Sequence, residues 1–112
     1  MPDTHGFGIL TFVPQKGQEF NEYEPEKYGC IFVPDDDLYA LSGKLAELPT
    51  FYHNTARPEH DLAYYGITLI PPESLELFQR IPEAEHSPVY DRLIEKIRQA
   101  RRESHFMIHF GI

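Results

Sequence analysis

A chain of 112 residues, 41% apolar and 25% charged, has the size and balance of a single folded domain spanning residues 1–112. Its net charge of −8 argues against nucleic acid as a partner, because phosphate backbones are held by a positive surface. One cysteine, Cys30, excludes an intramolecular disulfide, and no apolar run approaches the ~20 residues that span a bilayer.

The N-terminal residues lack the basic and apolar regions of a secretory signal, so the expected location is the cytoplasm, with no membrane partner. Residues 7–13, FGILTFV, read as a strand that Pro14 ends. Residues 14–27 have no sustained period and form an acidic loop with Phe20 and Tyr23. A second strand is expected at 28–33 and stops at Pro34.

Asp35, Asp36 and Asp37 then open a helix, since negative charge is favourable at a helix N-terminus. Leu38, Leu41, Leu45 and Leu48 share one helical face, and Pro49 closes the segment. Residues 50–54 read as a short strand, 55–63 as a polar connection and 64–70 as a strand. A short helix is expected to end before Pro82. Ser87-Pro88 is a good start for the longest helix, with an N-cap hydroxyl and proline at the first position. Arg98, Arg101 and Arg102 fall in its last turns, where cations complement the helix dipole. A strand over 105–110 ends the chain.

The strings YGCIFVPDDDLYAL at 28–41 and YGITLIPPESLELF at 65–78 align with Tyr, Gly, Pro and Leu at the same offsets. Each reads as strand, proline stop, helix. This internal repeat predicts an α+β fold of two βαβ-type units plus an N-terminal strand, ferredoxin-like or a related two-layer sandwich. A mixed sheet with parallel crossovers is the alternative. Residues i and i+2 share a strand face, so Cys30 and Phe32 oppose Ile31 and Val33, and Phe106, Ile108 and Phe110 oppose Met107 and His109. Both sheet faces are therefore apolar. Helices cover one; the 14–27 loop, a crossing helix or a second copy of the chain must cover the other.

No residue pattern specifies catalysis, a metal or a cofactor. His105 and His109 are four apart, but a strand separates such residues by about 13 Å, too far to share a metal. Cys30, inside an apolar strand, is expected to be inert. The glycines form no phosphate loop. Two surfaces stand out. Glu22, Tyr23 and Glu24 lie in one loop, with Tyr52 and Tyr64 flanking another; aromatic contact area with an acidic rim suits a basic protein partner. The leading expectation is thus an acidic protein-binding module, an inhibitor or immunity-type neutraliser of a basic partner. The alternative is a small enzyme or ligand-binding dimer with a pocket at His53, Arg57, His60 and Asp61, residue types suited to acid–base chemistry.

Overall fold

The computed structural model describes residues 3–111. Its strands are β1 (Thr4–Ile9), β2 (Ile31–Pro34), β3 (Pro49–Tyr52), β4 (Pro58–His60), β5 (Ile67–Ile70) and β6 (Met107–Phe110). Its helices are α1 (Asp35–Tyr39), α2 (Ser42–Leu45), α3 (Leu75–Glu83) and α4 (Asp91–Glu103). One six-stranded sheet runs in the order β2-β1-β6-β5-β3-β4, and every neighbouring pair is antiparallel. The fold is α+β with an antiparallel sheet.

The finer expectations about topology need correction. Two ferredoxin-like βαβ units would each return a strand parallel to the first. The first unit does so, but β3 is separated from β2 by three strands, β1, β6 and β5. In the second, α3 and α4 together bring the chain back antiparallel, directly beside β5. No hydrogen-bonded parallel pair is present among the described residues, so the mixed-sheet alternative also fails. The two similar strings share a strand–proline–helix junction: Leu38 and Leu75 are both buried, as are Leu41 and Phe78. Their continuations differ because one helical segment crosses the sheet and the other is a hairpin.

Several element boundaries shift for local reasons. β1 covers 4–9 and not 7–13: its paired register ends at Phe7↔Ile31 and Ile9↔Met107, with one further bond from the Leu10 N–H to Phe106 O. The leucine stripe over 38–48 is buried as the spacing requires, yet the helix breaks at Leu41, just before Ser42-Gly43. Serine and glycine are poor helix formers, and the Leu41 amide takes the tighter three-residue bond to Leu38 O. The polar connection contains a short edge strand, β4, whose Pro58 and Glu59 discourage further pairing. α3 runs one residue past Pro82. Ser87 caps as expected, its hydroxyl accepting from the Val89 N–H before α4 begins. The terminal arginines are engaged locally: Arg98 with Glu83, Arg102 with Glu95, and Arg101 with the Gln79 carbonyl.

All four helices pack on one sheet face. Phe7, Ile9, Val33, Ile70 and Met107 from the strands meet Leu38, Leu45, Phe78, Ile81, Leu93 and Ile97 from the helices. On the other face Ile67, Leu69, Ile108 and Phe110 are covered by Leu10 and Phe20, with Tyr28, Cys30, Phe51 and Phe106 around them. The 14–27 loop is thus the cover. Phe20 is anchored by its N–H to His53 O at 2.8 Å, and its burial is worth about 2–3 kcal/mol. The loop lies close against the sheet at Gly8, where a Cβ would stand 2.7 Å from Tyr28 O and 2.8 Å from Cys30 Sγ. Only glycine permits that approach.

Burial pushes the Cys30 thiol up to about 11, against a smaller opposing pull from Lys96. At pH 8 the native protein should therefore react with iodoacetamide about a hundredfold more slowly than the unfolded chain, since the thiolate is the reactive species. Mass spectrometry of timed aliquots, with and without denaturant, checks this.

Candidate functional site

At one end of the helix-covered face the sheet buries a chain of polar side chains. Strand alternation places His5 of β1, Thr68 of β5 and His109 of β6 on the same face as Phe7 and Met107. Register does the rest: His109 lies directly opposite Phe7 on one side and Thr68 on the other. His109 Nδ1 is 3.1 Å from Thr68 Oγ1, and its Nε2 is 2.8 Å from His5 Nδ1. His5 Nε2 is 2.8 Å from Asp35 Oδ1, and the Tyr64 hydroxyl donates to Asp35 Oδ2 at 2.9 Å. His5 and His109 are 3% and 0% exposed.

The proton count is closed. With Asp35 ionised and one proton on each ring, His5 donates from Nε2 and accepts at Nδ1. His109 then donates from Nε2 and accepts at Nδ1 from the Thr68 hydroxyl, whose oxygen accepts the Ala63 N–H at 2.7 Å. Each contact then carries one proton, as buried polar groups require. Burial holds the His109 imidazole well below the ordinary histidine value, and His5 beside it adds to this. The hydrogen bond from His5, aided by Tyr64, holds the Asp35 carboxyl below the ordinary aspartate value despite partial desolvation. The same Asp35 contact pushes the Tyr64 phenol up to about 12.

The order hydroxyl, imidazole, imidazole, carboxylate resembles a nucleophile with its base and orienting acid. Chemistry of that kind needs the hydroxyl within reach of a substrate, and Thr68 is completely buried. The accessible end is the carboxylate. What this chain presents to the surface is a fixed anion, Asp35, with a protonated phenol beside it.

Backbone features hold the flanking loop. Asp61 has φ 76°, a left-handed conformation that aspartate tolerates. Its Oδ1 accepts the Leu62 N–H, its carbonyl accepts the Thr50 hydroxyl, and its N–H donates to Leu48 O. Gly111 donates to Gly66 O at 2.8 Å, and a Cβ on Gly111 would overlap the Tyr64 carbonyl oxygen, so only glycine lets the 63–66 turn lie on the last strand.

Two depressions are linked through the neighbouring Tyr64 and Tyr65 rings. A smaller, half-open one of ≈ 140 Å³ is lined by His5, Asp35, Tyr39, Asp61, Leu62 and Tyr64, among others. A broader one of ≈ 530 Å³ is lined by Asp3, Tyr23, His53, Tyr65, Ile67 and Phe110, among others. Tyr64 lines the first and Tyr65 the second, their rings edge to face at 4.7 Å, and the Asp35 N–H bonds Asp3 O between the two linings. No lysine or arginine lines either one among the described residues. Tyr23, Tyr39, Tyr64 and Tyr65 are 67%, 74%, 43% and 81% exposed.

The residues singled out from sequence separate on this map. Tyr23 and Tyr64 lie on the tyrosine edge. Glu22 and Glu24 line a different depression, with Phe12, Phe20 and Lys27. Tyr52 is half-buried, its hydroxyl donating to His60 O. Of the second group, His53 lines the broad depression, with its ring Nδ1 donating to Phe20 O at 3.0 Å, while Asp61 lines the smaller one. Arg57 closes the β3–β4 turn through its backbone, and His60 is exposed on the edge strand. The four do not converge on one cavity. Sequence reasoning did not bring His5, His109, Asp35 and Tyr39 into one site: it weighed His109 only as a metal ligand beside His105 and Asp35 only as a helix start, while Tyr65 stood out beside Tyr64. A lone histidine in an apolar strand was the available signal for His109, since such a ring needs a partner.

Among the described residues no three His, Cys, Asp or Glu side chains converge as a metal-ion ligand set, and no helix is long and apolar enough to cross a membrane. Comparison with known proteins finds no matching family model, no matching curated protein and no matching solved structure.

Proposed function

We propose that this protein is a small protein-binding module whose partner has a basic surface, and that it acts as a neutraliser by covering that surface. The observation that carries the reading is the edge formed by Tyr23, Tyr39, Tyr64 and Tyr65, together with Asp3, Asp35 and Asp61. Tyrosine supplies contact area at little entropic cost and is enriched at interfaces. Carboxylates set among the rings draw in a cationic surface and reject an anionic one. The carboxylates elsewhere at the helix starts and on the 14–27 loop add a long-range field of the same sign.

The test uses the chain as bait in its native extract, beside a Tyr23→Ala/Tyr65→Ala bait. Both rings are mostly exposed, so their loss leaves the core intact. The expected result is a basic protein retained by the first bait, released as salt rises, and held at least ~10-fold less by the second. Retention that ignores salt, or that is equal on both baits, defeats the reading.

A further inference from the structure

Resting on that reading, we infer that the smaller depression at the tyrosine edge is a subsite for one arginine side chain of the partner. The cavity measures ≈ 140 Å³, below the roughly 300 Å³ at which small-molecule pockets begin. It has room for a single long side chain and not for a cofactor. Leu38 and Leu62 supply apolar wall for a methylene stem, and Tyr39 and Tyr64 stand at the exposed rim. Asp35 and Asp61 are its carboxylates, and no lysine or arginine lines it. A long cationic side chain is the complement of that lining, and two carboxylates beside tyrosine rings suit a guanidinium, which forks to carboxylates and stacks on aromatic faces.

The two carboxylates are held before any partner arrives. The Asp35 oxygens are each fixed by one donor, His5 Nε2 and the Tyr64 hydroxyl, at 2.8 and 2.9 Å. A carboxylate accepts about four hydrogen bonds, so it retains capacity for a guanidinium. Asp61 uses Oδ1 for the Leu62 N–H, and Oδ2 has no protein donor among the described residues. The buried imidazole pair is thus a positioning device: it fixes the Asp35 carboxylate in place and keeps it ionised. Fixing the anion in advance lowers the ordering cost of binding.

The test needs no partner. N-acetyl-arginine amide is titrated into the labelled protein and followed by amide and tyrosine-ring NMR shifts, beside N-acetyl-citrulline amide, its neutral isostere. The expected result is saturable shifts at Leu38, Tyr39, Leu62 and Tyr64, at least ~10-fold weaker for citrulline. Asp61→Asn keeps the Oδ1 acceptor and suits the positive φ, so it keeps the fold while weakening arginine binding about tenfold; Tyr39→Ala, on an exposed ring, weakens it as well. Equal binding of the citrulline probe, shifts located elsewhere, no shifts at all, or indifference to Asp61→Asn overturns the subsite. If a basic partner is retained through Tyr23 and Tyr65 while the arginine probe gives no shifts, the subsite fails and the binding module stands. If the probe binds as described while no basic partner is retained, the subsite stands and the module reading fails.

Discussion

Replacing His109 with alanine should cost about 4 kcal/mol of folding stability, a large share of the roughly 5–15 kcal/mol a domain of this kind possesses. Two losses combine. The ring is fully buried against Phe7, 4.9 Å between centroids, so truncation leaves a cavity in the sheet-facing core. It also strands polar partners: His5 Nδ1 loses its donor and the Thr68 hydroxyl loses its acceptor. Each orphaned buried group costs about 1–3 kcal/mol. Urea denaturation of the two proteins measures the difference, and a loss below ~1 kcal/mol would mean that the imidazole chain is not holding the sheet together.

This network was largely hidden in the sequence, and the reason is topological. His5 and His109 are 104 positions apart. Alternation along each strand gives the face on which a side chain lies, but not which strand is its neighbour. The order β2-β1-β6-β5 makes that choice, and it depends on α3 and α4 returning the chain beside β5. By contrast, features set by local chemistry were readable. The Leu38–Leu48 stripe, the Ser87 cap and the apolar character of the second sheet face follow from spacing and residue type, whereas the choice of the 14–27 loop over a crossing helix or a second copy as its cover is made by packing. Asp35 illustrates the boundary between the two. Its place in the first turn of a helix was legible, and it does occupy that place. Its oxygens, however, serve His5 and Tyr64 and not the helix amides, which only the packed structure decides. The similar strings at 28–41 and 65–78 mark one junction used twice. They carry no information about crossover, because the helical segments that follow differ in length: α1 and α2 are short, α3 and α4 longer.

Stability should fall steeply on acidification, and the closed proton count explains the sign. His109 in the native protein titrates well below the ordinary histidine value of 6.5. Above pH ~6.5 it is neutral in both folded and unfolded chains, and its contribution is fully present. As pH falls below that point the unfolded chain takes up a proton that the native chain refuses. Each pH unit in this window then removes up to about 1.4 kcal/mol, until the native ring itself protonates. The native network can take one proton only by reversing direction. His5 then donates to His109 Nε2, His109 donates to Thr68 Oγ1, and the Thr68 hydroxyl loses the acceptor it had. A second proton would set two N–H groups against each other across 2.8 Å. Asp35 acts in the same sense at lower pH: its carboxyl titrates below the ordinary 3.8, so its contribution, present above that value, is lost as pH falls further. Urea midpoints taken from pH 7 down to pH 4 should therefore decline throughout, with one proton of excess uptake on unfolding near pH 5.5 assignable to His109. Its Hε1 resonance should show no titration while the unfolded chain's histidines are already protonated. A histidine that titrates normally at position 109 would show that the imidazole pair opens to water before the protein unfolds.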